Sequence, residues 1–186
     1  MRLFVALEIP SAVRENLAAL IREFRAIAPQ AKWVRAENLH VTLKFIGEVA
    51  DTRLEAIRTA LSDVHSNLPV TLDFRGLGFF PNEKHPRVFW AGIEASANLK
   101  ALAADVESTA EKLGITREKR PFSPHLTLAR FETREAPEKL RSAIGENAAR
   151  DFGSLHTNQF HLIESKLKPA GAEYTTLQSF PFAAEA

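Results

Sequence analysis

The sequence predicts an α+β protein built from two similar halves, and three observations carry that prediction. The hydrophobic pattern switches repeatedly between the two-residue period of a strand and the 3.6-residue period of a helix. The order strand, helix, strand, helix, strand occurs twice along the 186 residues. Two separated pairs of strings match at one displacement: Arg2-Leu3-Phe4-Val5-Ala6 lies over Arg87-Val88-Phe89-Trp90-Ala91, and His40-Val41-Thr42-Leu43 over His125-Leu126-Thr127-Leu128, each 85 residues apart.

Taken in order, LFVALEI (3–9) is a short β-type run closed by Pro10. After Ser11, the residues Val13, Leu17, Leu20, Ile21, Phe24 and Ile27 follow helical spacing and predict an amphipathic helix. HVTLKFI (40–46) alternates, so Val41, Leu43 and Phe45 are expected on one face and His40, Thr42 and Lys44 on the other. Thr52 and Glu55 have capping-box spacing ahead of Leu54, Ile57, Leu61 and Val64, a second helix, and VTLDFRGLGFF (70–80) returns to β character. The stretch from Pro81 to Pro86 reads as an inter-lobe loop. VFWAGIE (88–94) is a strand; Leu99, Leu102, Val106 and Leu113 mark a helix ended by Gly114. HLTLARF (125–131) is a strand, Pro137 opens a helix through Leu140 and Ile144, and FGSLHTNQFHLIESKL (152–167) reads as strand. The Ala-rich C-terminal end reads as expendable. The organisation expected is one bilobal domain over 1–186 with repeat halves at about 1–80 and 87–170.

Composition narrows the function. Apolar residues make up 45% and charged residues 25%, values of a globular chain able to bury a sizeable core. Twenty-four Lys and Arg against 23 Asp and Glu leave +1, too little for the field that long duplex nucleic acid or an anionic membrane selects, so any nucleic-acid contact is local. With no cysteine there is no disulfide, thiol nucleophile or Cys-based metal site, which suits a reducing cytoplasm. The apolar run Leu3–Leu7 is too short for a signal peptide, and nothing reaches the length of a membrane span. A cytoplasmic protein without a membrane partner is expected, and no obligate protein partner is evident.

Of the six histidines, His40 and His125 stand apart, because each is followed two positions later by threonine inside a period-2 strand. Imidazole and hydroxyl therefore share a face, twice, at repeat-related positions. A pair of imidazoles suits in-line displacement at phosphorus: the attacking and leaving oxygens lie on opposite sides, and one histidine takes a proton while the other gives one. The hydroxyls of Thr42 and Thr127 are suited to bind non-bridging phosphate oxygens. His65, His85, His156 and His161 form no His-x-His, HExxH or carboxylate spacing that argues for a metal site, and they read as structural or solvent-exposed. Arg117, Lys119 and Arg120 form a small basic cluster ahead of the second motif that can attract RNA phosphates. Thirteen phenylalanines offer stacking surfaces for a base, most of them core, and the sequence does not select the one that stacks.

HVTL (40–43) and HLTL (125–128) resemble the paired His-x-Thr signature of the 2H phosphoesterases. The longer strings RLFVAL, HVTLKFIGEV, RPFSPHLTLAR and LIESKLKPAGAEY resemble the bacterial 2′-5′ RNA ligase, or RNA 2′,3′-cyclic phosphodiesterase, branch, with coverage from Arg2 to about Leu177. The resemblance implies two pseudo-symmetric lobes, each an antiparallel sheet with two helices, enclosing a central cleft. It implies hydrolysis of a 2′,3′-cyclic phosphate at an RNA end to a 2′-phosphomonoester, with neither metal nor other cofactor; a related small cyclic phosphate is the other substrate class. His40 would be the general acid, His125 the general base, Thr42 and Thr127 the phosphate ligands, and Arg130 a cationic contact. Strict alternation puts Arg130 opposite His125 and Thr127, so it reaches their face only if the strand twists or bulges after Leu128. Two other readings compete: ATP-independent, reversible 2′-5′ RNA ligation on the same residues, and a non-catalytic RNA-end binding module. Neither a GxxxxGK[ST] loop nor a KxDG-type lysine is present, which removes ATP-driven ligation, and a binding module has no need of matched histidines.

Overall fold

The first strand, β1 (Arg2–Glu8), is buried on both faces, and that puts it inside a sheet rather than at its edge. Leu3, Val5 and Leu7 enter the main core, while Phe4 and Ala6 pack with Ile163 and Tyr174 on the opposite side. The computed structural model describes residues 1–132 and 137–182, so the Ala-rich end at 183–186 lies outside the described residues. Within these, β1 sits in a four-stranded antiparallel sheet with β3 (His40–Glu48) on one side and β8 (Gln159–Lys168) then β9 (Gly171–Pro181) on the other. A second antiparallel sheet runs β2 (Lys32–Trp33), β6 (His125–Arg130), β5 (Val88–Ala95), β4 (Val70–Phe80), β7 (Asp151–Thr157).

Two helices cover each sheet. α1 (Ser11–Ile27) and α4 (Glu138–Glu146) pack together against β7 and β4 of the second sheet, whereas α2 (Leu54–Ser62) and α3 (Ala97–Lys112) pack against β9 and β3 of the first. The stripe of α1 expected from spacing, Val13, Leu17, Leu20, Ile21 and Phe24, is the buried one, and each such side chain contributes roughly 2 kcal/mol of burial. One continuous apolar cluster joins helices and both sheets. The α+β class and the arrangement of two sheets with two helices each follow the expectation.

Four local expectations differ. The 81–86 stretch is a hairpin connection inside the second sheet, because β4 pairs directly with β5. Strands joined by so short a loop are adjacent in space far more often than not, so β4 leaves the first half to join the sheet of β5 and β6, and β8 and β9 cross back to complete the sheet of β1 and β3. Second, β9 was not legible: its residues GAEYTTLQSFP are mostly polar because it is an edge strand with much of its surface in water. Third, no capping box forms at Thr52; Asp51–Arg53 make a 3₁₀ turn, and α2 begins at Leu54 with no side-chain cap.

Fourth, the 85-residue displacement holds for the motif strands but not for the strands beside them. Ala6 is opposite Thr42 and Glu8 opposite His40, whereas Trp90 is opposite Thr127 and Gly92 opposite His125. β1 and β5 thus correspond at 84 residues. A match at 85 would lay Val5, a core residue, over Trp90, which faces the motif, and a one-residue slip moves every side chain to the other face.

Candidate active site

β3 and β6 belong to different sheets, yet their backbones approach each other. Each begins with its motif histidine, half-buried, and the two rings are held in the same way. Nδ1 of His40 donates to the Asn38 carbonyl oxygen at 2.9 Å, and Nδ1 of His125 donates to the Ser123 carbonyl oxygen at 2.8 Å, two residues back in both cases. A carbonyl oxygen only accepts, so each Nδ1 carries the hydrogen and each Nε2 is the nitrogen left for chemistry. Aromatic edges fix the ring planes: Phe4 and Tyr174 flank His40 at centroid distances of 6.1 and 5.5 Å, and Phe80 flanks His125 at 4.9 Å.

Thr42 and Thr127 are half-buried on the same faces as their histidines, as period 2 requires. Beyond them both strands break that period. In β3 the register shifts between Val5↔Lys44 and Ala6↔Thr42, and in β6 between Phe89↔Ala129 and Trp90↔Thr127. Leu43 and Leu128 are the extra residues of two matching bulges. Arg130 is consequently opposite Val88, two residues from Trp90, and shares the face of Thr127 and His125. The same step in β3 overturns the alternation read for that strand: Lys44 turns inward and is 4% exposed, while Phe45 turns to the His40 face beside Phe4 and is 63% exposed. Phe45 is the exposed aromatic that sequence alone did not single out.

Lys44 is inward and charged, so it needs a partner, and Nζ donates to Glu107 Oε1 of α3 and to the Thr116 carbonyl oxygen, each at 2.8 Å. Lys44→Ala leaves the Glu107 carboxylate nearly buried and unpaired. Denaturant unfolding should read a loss of about 3 kcal/mol; a loss below about 1 kcal/mol would mean that water replaces the lysine.

Among the other histidines, His65, His85 and His156 are exposed. His161 was expected to be structural or exposed; it is buried, with Nδ1 2.8 Å from Ser179 Oγ and Nε2 4.0 Å from Glu8 Oε2, and Glu8 is the cross-strand neighbour of His40. Burial holds His161 below the ordinary histidine range, opposed by Glu8. Burial likewise holds His40 below it, against the Asn38 hydrogen bond and with help from Arg14. Each group is therefore neutral more readily in the folded than in the unfolded chain, and its stabilising contribution is present above the unfolded value near 6.5 and lost as pH falls toward the folded value. The melting temperature should drop on acidification from pH 7 to 5, with part of the drop removed in His161→Gln; an identical pH slope in that variant would exclude His161 as a contributor.

Two cavities adjoin these faces. One, about 300 Å³, is lined by Arg75, Phe80, Trp90, Gly92, Ser123 and His125 among others. Trp90 lies flat in the second sheet because Gly78 leaves the room: a Cβ at Gly78 would come within 2.2 Å of the indole. The other, about 620 Å³, lies along Lys44–Val49 and Gly114–Arg120. His40 lines neither of these cavities. Among the described residues no three His, Cys, Asp or Glu side chains are placed to share a metal ion, and no helix is long and apolar enough to cross a membrane.

Comparison with known proteins bears on the same residues. A family model described as LigT-like phosphoesterase matches twice, at residues 7–90 and 93–174. An RNA 2′,3′-cyclic phosphodiesterase of Archaeoglobus fulgidus is 37% identical over 180 residues, covering 97% of this chain and 99% of that protein. One of Thermus thermophilus is 36% identical, covering 100% and 92%. Among solved structures, a Thermus thermophilus protein superimposes with a TM-score of 0.77 at 34% identity over the whole of both chains, and Escherichia coli LigT complexed with 3′-AMP with 0.75 at 27% identity over 98% of each. The chain belongs to the LigT-like phosphoesterase family.

Proposed function

We propose that this chain hydrolyses 2′,3′-cyclic phosphate ends of RNA to 2′-phosphomonoesters, with His40 as general acid and His125 as general base across one cleft between the lobes. The observation that carries the reading is the twin anchoring of the imidazoles, Nδ1 on a carbonyl two residues back in each strand, which leaves two Nε2 atoms for proton transfer. Catalysis needs two such groups on opposite sides of phosphorus. Thr42, Thr127 and, by virtue of the bulge, Arg130 are the phosphate ligands, and the exposed ring of Phe45 is a platform for the terminal base. The double match of the family model supports reading 1–80 and 87–170 as repeat halves of one bilobal domain. The relatives named for this activity support RNA with a cyclic phosphate end as the substrate.

In this mechanism water gives its proton to Nε2 of His125 as it attacks phosphorus, and Nε2 of His40 protonates the departing 3′-oxygen, leaving phosphate on the 2′-oxygen. The test is turnover of a short oligonucleotide bearing a 2′,3′-cyclic end, with and without EDTA. Multiple turnover is expected in both; binding without turnover would leave a binding module instead, and strict dependence on an added divalent ion would remove the two-histidine account.

Because one imidazole must be protonated and the other neutral, kcat/KM should follow a bell in pH. Burial of His40 lowers one of the two values that set the bell, so its maximum should be displaced to the acid side of a pair of ordinary histidines. A flat profile from pH 5 to 9 would remove acid–base catalysis.

A further inference from the structure

β3 is an edge strand: β1 pairs with one side, and among the described residues no strand pairs with the other. The corresponding edge of β6 is closed. There Lys32 and Trp33 form β2 opposite Arg130 and Ala129, and the Val34 N–H donates to the Leu128 carbonyl oxygen. The stretch that matches 30–35 in the second half is 115–120, and it does not close onto β3. It stands off across the 620 Å³ cavity, tied only by the Lys44 ammonium to the Thr116 carbonyl oxygen and by the Glu118 N–H to Glu107 Oε1. One motif strand is therefore sealed and the other is flanked by an open groove.

The groove is continuous with the candidate site, because Phe45, on the His40 face, is also one of its lining residues. Its walls are basic. Arg53, Arg117, Lys119 and Arg120 line it against Glu48 and Glu118. Arg117 is paired with Glu111 at 3.3 Å, and the Arg53 guanidinium donates to the Leu113 carbonyl oxygen, whereas among the described residues Lys119 and Arg120 have no ion-pair partner and both are exposed. An open groove that starts beside a nucleotide platform and carries unneutralised cations fits a single-stranded phosphodiester chain.

We propose that the groove between the outer edge of β3 and residues 115–120 binds the RNA chain on the 5′ side of the cyclic end, with Lys119 and Arg120 contacting its phosphates, so that the preferred substrate is an oligoribonucleotide rather than a cyclic mononucleotide. This rests on the cyclic phosphodiesterase reading above. With Phe45 under the terminal base, the preceding phosphates leave along Gly47–Val49 toward Lys119 and Arg120.

The experiment compares an eight-nucleotide RNA bearing a 2′,3′-cyclic phosphate with a nucleoside 2′,3′-cyclic phosphate, on the intact protein and on a Lys119→Ala/Arg120→Ala variant. The wild-type protein should prefer the oligonucleotide. In the variant, the ratio of the two kcat/KM values should fall about tenfold, and the slope of log kcat/KM against log salt for the oligonucleotide should become shallower by about one. Equal kcat/KM for both substrates in the wild type, or an unchanged ratio in the variant, would overturn the proposal. Both substitutions are on the surface, and an unchanged melting temperature checks the fold. If the wild type turns over neither substrate, the parent reading fails. Fluorescence anisotropy with a 2′-phosphate-ended oligonucleotide then reads the groove directly: about tenfold weaker binding by the variant supports it, and equal binding overturns it.

Discussion

His40→Ala and His125→Ala should each lower kcat/KM on a 2′,3′-cyclic phosphate end by about 10²–10⁴-fold, the contribution of one positioned acid or base. Each imidazole has its Nδ1 committed to a backbone carbonyl and its ring plane set by an aromatic neighbour, so truncation removes the proton carrier without removing a structural partner. The double variant should be little worse than either single one, because two groups that act as a unit are not additive. A change of less than tenfold in either single variant would take that histidine out of the mechanism. The two roles are separable by leaving group. An activated phenolate in place of the 3′-oxygen needs little protonation, so it should largely rescue His40→Ala and leave His125→Ala crippled; the reverse pattern would exchange acid and base.

The second large effect belongs to the phosphate ligands. Thr42→Val and Thr127→Val keep the β-branched shape that suits a strand and delete one hydroxyl each, and each should cost about 10²-fold in kcat, the effect of losing one donor to developing charge. Arg130→Gln should raise KM as well, since it removes a cation that reaches the phosphate in both ground and transition states. If these variants turn over like the wild type, the phosphate lies elsewhere than on the shared faces of β3 and β6.

The twin His-x-Thr strings were legible because threonine two residues after histidine in a strand is a statement about one face, and it was made twice. The central apolar strands and the α1 stripe were legible for the same reason of period. A bulge of one residue leaves no mark on a period-2 pattern, which is why Lys44, Phe45 and Arg130 were assigned to the wrong faces by alternation and why only pairing registers correct them. β2 is two residues long, below any periodic signal, and β9 is a polar edge strand. The exchange of β4 against β8 and β9 between the halves depends on which strand edges meet, a long-range property that no local window holds. His161 was unreadable because its neighbours Glu8 and Ser179 come from two other strands.

The most direct test of the central claim is the identity of the product. The purified protein, in excess EDTA, is given a short RNA with a 2′,3′-cyclic end, and the terminal phosphate is assigned by phosphorus NMR. Two-histidine hydrolysis with His40 serving the 3′-oxygen predicts a 2′-phosphomonoester as the sole product, absent in His40→Ala and His125→Ala at matched times. A 3′-phosphate product, an unchanged cyclic end, or the same product from both alanine variants would contradict it.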